Sequence, residues 1–162
     1  MHMNPAHVAN LLALLTAGAM AFAQSTTSKE SGATPQFSDS GAVKYYSKDE
    51  VVASFAKGGT LLTESNYKVM TAHRTEPGNV EVHRSYTDIF YIVQGSTNLV
   101  TGGRIIGEKA TDPDEPRGDS IEGGETRRLS AGDAIAIPAG VPHWMKDVQG
   151  ELRYFVVKVK NP

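Results

Sequence analysis

Glu81, His83 and Asp88 are the residues whose types and spacing point most directly to chemistry. They lie in the stretch Glu81-Val82-His83-Arg84-Ser85-Tyr86-Thr87-Asp88, which runs on through Ile89-Phe90-Tyr91-Ile92-Val93 to Gly95. Side chains two apart on a strand share a face, so Glu81 and His83 are expected to point the same way. Asp88 opens the next strand after a short turn, and antiparallel pairing brings its carboxylate back toward His83. A nitrogen and two carboxylates converging on an interior suit a divalent metal ion. The chain has no cysteine, which excludes disulfides and thiolate ligands, so any ion is held by nitrogen and oxygen.

A second stretch, Gly132-Asp133-Ala134-Ile135-Ala136-Ile137-Pro138-Ala139-Gly140-Val141-Pro142-His143, reads as a strand followed by a tight connection. Proline removes a donor from the ladder and glycine supplies backbone angles that other residues resist. His143 stands just past this turn, at the start of the following strand.

The elements that must position these residues are mostly strands. Ser47-Lys48-Asp49-Glu50 is a capping box that starts one helix, with Val51, Val52, Phe55 and Ala56 as its apolar face and Gly58-Gly59 as its stop. From there the pattern is short β-prone runs: 67–73, 80–85, 89–93, 98–101, 134–137 and 152–159. Glycine, proline and aspartate punctuate them. One leading helix and many short strands predict an all-β sandwich or barrel, and 162 residues allow a single domain.

The two stretches resemble the two motifs of the cupin superfamily. Gly132, Pro138, Gly140 and His143 meet every fixed position of G-x5-P-x-G-x2-H, and Asp147 replaces the closing Asn. In G-x5-H-x-H-x4-E-x6-G, His83 falls on the second His and Gly95 on the last Gly. Glu81 replaces the first His, Asp88 the Glu and Thr75 the leading Gly. The resemblance covers about Asn66 to Val159. It implies a cupin jelly-roll β-barrel with one short N-terminal helix over residues 41–162, and a metal held by Glu81, His83, Asp88 and His143. Asp88 is one methylene shorter than Glu, so it reaches the ion directly, through water, or by orienting His83. The anionic Glu81 favours Mn or Fe, with Zn and Ni as further candidates.

Between Gly95 and Gly132 lie 36 residues, roughly twice the number in compact cupins. Most of the excess, 108–125, reads as a surface loop or as a lid over the barrel mouth, where Arg117 meets an anionic substrate. Phe90 and Trp144 read as packing residues.

The remaining sequence bounds location and partners. Leu11 to Ala23 is an apolar run of 13 residues, too short to span a bilayer, and closes on Ala21-Phe22-Ala23. Residues 1–23 are therefore expected to be a signal peptide and 24–40, rich in Ser, Thr, Gly and Pro, a disordered linker, which makes the protein secreted or periplasmic. A formal net charge of −2 gives no reason to expect nucleic acid, and no stable membrane insertion is expected. A homodimer and a small-molecule substrate or ligand are the expected partners.

Fold does not choose the reaction. The leading expectation is a metal-dependent cupin acting on a small polar organic molecule, of oxygenase, lyase or isomerase type. In it Glu81 or Asp88 has a catalytic role as general base. The alternative is a non-catalytic cupin of the cell envelope that binds a small ligand or a metal.

Overall fold

The structure is a computed structural model and describes residues 41–109 and 112–162. The expected signal peptide at 1–23 and linker at 24–40 lie outside the described residues. Among the described residues, no helix is long and apolar enough to cross a membrane. Val43–Pro162 pack as one unit.

Helix α1 (Lys48–Lys57) starts at the expected capping box. Ser47 Oγ accepts from the Glu50 amide, and Glu50 accepts from the Ser47 amide at 2.7 Å. The helix buries only Phe55, whose ring meets Phe155 edge-on at 5.1 Å. Val52 and Ala56, expected on the same apolar face, are exposed.

Ten strands follow: β1 (Gly59–Thr63), β2 (Tyr67–Arg74), β3 (Val80–Glu81), β4 (Tyr86–Thr101), β5 (Arg104–Ile106), β6 (Arg117–Gly118), β7 (Ser120–Glu122), β8 (Glu125–Ser130), β9 (Ala134–Ile137) and β10 (His143–Lys160). β5 and β7 form a separate two-stranded ribbon, and the rest share one eight-stranded network.

The long strands β4 and β10 run through both layers of that network. Their first pairing, Tyr86–Tyr91 against Phe155–Lys160, is flanked by β9 on one side and β2 and β1 on the other. Their second pairing, Ser96–Thr101 against His143–Gln149, is flanked by β8 and by β3 and β6. The change of layer falls at Gly95 and at the register shift between Gln149 and Arg153. Gly95 has φ 79°, and a Cβ there would lie 2.3 Å from the Glu151 carbonyl oxygen, so only glycine fits.

The fold is all-β, two layers of antiparallel strands in a jelly-roll arrangement, with one short helix. Its core lies between the layers and centres on Phe90, Ile92, Leu99, Met145, Leu152 and Tyr154. Along β4, Asp88, Phe90 and Ile92 turn inward while Ile89, Tyr91 and Val93 turn out. Two expected strands, 89–93 and 98–101, are thus one strand bent at Gly95. The expected strand 80–85 is shorter: its pairing with β10 ends at Glu81, although the Val82 and Arg84 amides continue to bond the carbonyls of Pro116 and Asp114.

Candidate functional site

Strand pairing places the ligand candidates side by side. Glu81 closes β3 and His143 opens β10, and the two are direct register partners. His143 follows the connection at Gly140, where Gly140 N donates to the His83 carbonyl at 2.9 Å. That bond ties the second motif to the first. His83 is two residues beyond Glu81, and Asp88 is the first inward-facing residue of β4 to be fully buried.

The side chains converge. His83 Nε2 lies 3.4 Å from Glu81 Oε2 and 3.5 Å from Asp88 Oδ2. His143 Nε2 lies 3.9 Å from each of the same two oxygens. Glu81, His83 and His143 each offer one donor atom, all within 4.8 Å of one another. Asp88 falls outside that three-residue set, although it faces both imidazoles. All four sequence-derived ligand candidates therefore meet at one place.

The electrostatics suit an ion. His143 Nδ1 lies 3.2 Å from the Val141 carbonyl, which holds the hydrogen on Nδ1 and turns the Nε2 lone pair inward. Buried His143 Nε2 has no hydrogen-bond partner among the described residues. Such a group costs about 1–3 kcal/mol when left unpaired. Burial pushes the His143 pKa below its ordinary value, which preserves the lone pair. For Glu81, burial pushes the pKa up, but His83, Arg117, His143 and Arg74 together outweigh it and bring it down to about 2. Donors about 2.1 Å from a tetrahedral ion stand about 3.4 Å apart, so the observed spacing fits a divalent metal after a small contraction.

The surroundings contain groups that sequence reasoning missed. Lys158 Nζ binds both oxygens of Asp88, at 2.9 and 3.0 Å. Lys158 continues the inward phase of β10 after Leu152, Tyr154 and Val156, and a lysine on that phase of an apolar strand was its signal. Arg74 donates from Nε to the buried Tyr154 hydroxyl at 3.0 Å. Arg117, which on the lid reading meets an anionic substrate, pairs with Glu81. Asp147 stays away from the cluster and accepts from the Asn98 amide and side chain at 3.0 and 2.7 Å. Trp144 packs at the rim and donates to the Gly78 carbonyl at 2.7 Å.

A cavity of about 160 Å³ opens beside Glu81, His83 and Asp88, between Arg74 and Lys158 on its polar side and Met70 and Val156 on its apolar side. A larger hollow of about 420 Å³ lies elsewhere, between Thr101, Arg127, Ile137 and Val141, and touches none of the four ligand candidates.

A family model described as Cupin matches residues 66–162. The chain belongs to the cupin family. No curated protein matches its sequence. Among solved structures, this cupin is similar to the DMSP lyase DddQ of Ruegeria pomeroyi at 16% identity and TM-score 0.46, covering 64% of this chain and 46% of that one. It is similar to KdgF from a Halomonas species at 17% identity and TM-score 0.47, covering 65% and 80%. A cupin protein from Bacteroides fragilis is similar at 16% identity and TM-score 0.45, covering 64% and 75%. The chain thus spans under half the length of the DMSP lyase.

Proposed function

We propose that this cupin holds one divalent first-row metal ion on Glu81, His83 and His143 and acts there on a small polar organic molecule. The observation that carries the proposal is His143 Nε2, buried without a partner and aimed at the Glu81 carboxylate beside His83 Nε2. One anionic oxygen in place of a third imidazole favours Mn or Fe, with Zn and Ni next. Bound there, such an ion supplies Lewis-acid polarisation, or redox chemistry if it is Fe or Mn.

The chain's own residues have distinct roles in this reading. Glu81, ionised down to about pH 2, is a poor proton acceptor at neutral pH and serves as ligand. Asp88, anchored by Lys158, presents its Oδ2 toward both imidazoles. Lys158 and Arg74 flank the cavity with positive charge, which orients an anionic or strongly polar substrate. Met70, Phe90 and Val156 exclude water from its other wall.

A second reading, a non-catalytic binder, is supported by the same ion pairs. Both carboxylates proposed as general bases are already paired with cations, Glu81 with Arg117 and Asp88 with Lys158. Turnover screens with small carboxylates and polyols on metal-loaded protein separate the two readings: product formation lost in His143→Ala supports the enzyme. Tight ligand binding without product supports the binder.

Export to the periplasm or medium is part of the proposal and rests on the apolar run ending at Ala23. Protein recovered from its native envelope should begin at or near Gln24. A homodimer is supported by Ile89, Tyr91 and Val93, a row of apolar side chains 38–49% exposed on the outer face of β4. Light scattering should give twice the chain mass, and Tyr91→Lys should reduce it to one.

A further inference from the structure

The segment 108–125, expected to be a surface loop or a lid, contains a strand that pairs with the site. β6 pairs with β3, with Glu81 opposite Arg117 and Val80 opposite Gly118. On either side of Glu115, the Val82 amide donates to the Pro116 carbonyl at 3.1 Å and the Arg84 amide to the Asp114 carbonyl at 2.9 Å. Pro116 is fully buried. The segment is therefore fastened to the backbone on both sides of His83.

Two of its side chains reach ligand candidates. Glu115 Oε1 is 3.2 Å from His83 Nδ1, the ring nitrogen that faces away from the cluster. Nδ1 is buried and among the described residues has no in-line hydrogen-bond partner, so this carboxylate is the acceptor at hand. Arg117 pairs with Glu81 Oε1, leaving Oε2 turned to the two imidazoles. Arg117 also lies 3.6 Å from Glu115 Oε2, which joins the two contacts into one chain of charges.

We propose that Glu115 and Arg117 are positioning residues for the ion site, Glu115 fixing the hydrogen on His83 Nδ1 and Arg117 fixing the rotamer of Glu81. The inference rests on the ion-binding reading above. A carboxylate behind a ligating histidine sets its tautomer and ring orientation and raises its basicity, and losing such a partner weakens metal affinity about 10–100-fold. The extra length of this chain between its two motifs thus supports the site from behind. Glu115 is 39% exposed at its side chain, so truncating it spares the core.

The test uses full-length protein. Titration calorimetry with Mn²⁺ should show Glu115→Ala binding about 10-fold or more weaker than the parent. Glu115→Gln keeps an acceptor oxygen and should recover most of that loss. The visible bands of the Co²⁺-loaded protein should move in Glu115→Ala and Arg117→Met, a change that a merely structural role does not produce. In metal-free protein, the proton on His83 Nδ1 should give a protected downfield resonance that Glu115→Ala abolishes. Unchanged Mn²⁺ affinity and Co²⁺ bands in both variants would overturn the inference while leaving the ion site standing. If the parent binds no ion, the site itself fails, and an unaltered Nδ1 resonance in Glu115→Ala then overturns the positioning role as well.

Discussion

Glu81 and His143 are cross-strand partners at the junction of β3 and β10, and their Oε2 and Nε2 atoms meet inside the jelly roll 3.9 Å apart. One belongs to each half of the site. The pairing register alone therefore brings the first motif's carboxylate to the second motif's imidazole, with His83 two residues along.

Substituting Glu81 tests which ion the site prefers. A carboxylate oxygen suits Mn²⁺ and Fe²⁺, and an imidazole in its place suits copper, nickel or zinc. Glu81→His should keep the fold, by circular dichroism, and shift the order of affinities toward those three ions. Glu81→Ala should weaken Mn²⁺ binding about 10-fold or more. Equal Mn²⁺ affinity in Glu81→Ala would reduce Glu81 to a structural carboxylate.

Much of this site was legible because its information is local. The turn of Pro138, Gly140 and His143 is written in consecutive residues, as are the capping box at Ser47 and the spacing of Glu81, His83 and Asp88. The groups that hold those ligands were not legible, because they come from far along the chain. Lys158 reaches Asp88 across 70 residues, and Glu115 arrives from a stretch whose prolines and charges read as loop. Strand β8, Glu125–Ser130, lacked an apolar alternation because four of its six residues are exposed. Gly95 read as a strand end, whereas its positive φ bends a continuous strand between layers.

Acid should destabilise the metal-free protein in two steps. His143 has its pKa lowered from 6.5 by burial, so the folded state resists protonating it and loses stability as pH falls below about 6.5. Glu81 has its pKa lowered from 4.5 to about 2, so its contribution is complete above about pH 4.5 and is lost as pH falls toward 2. The second step is on the order of 3 kcal/mol. Urea unfolding at pH 7, 5 and 3 should show the fall, and Glu81→Gln should flatten the part below pH 4.5.

Two glycines with nearly equal φ should respond differently to alanine. Gly95, at φ 79°, would place a Cβ against the Glu151 carbonyl, whereas Gly140, at φ 78°, has nothing within 4 Å. Gly140→Ala should cost about 1–2 kcal/mol of backbone strain. Gly95→Ala adds a clash at the layer change and should cost about 3 kcal/mol or more. Chemical denaturation of the two variants checks the order.

The central claim is that one ion sits between the two motifs. Metal analysis and Mn²⁺ calorimetry on protein purified from its own host, beside His143→Ala, test it most directly. The account predicts about one first-row divalent ion per chain in the parent and loss of most of it in the variant, with the fold retained. A parent that carries no ion and binds none of Mn²⁺, Fe²⁺, Zn²⁺ or Ni²⁺, or a variant that binds as tightly as the parent, would contradict it.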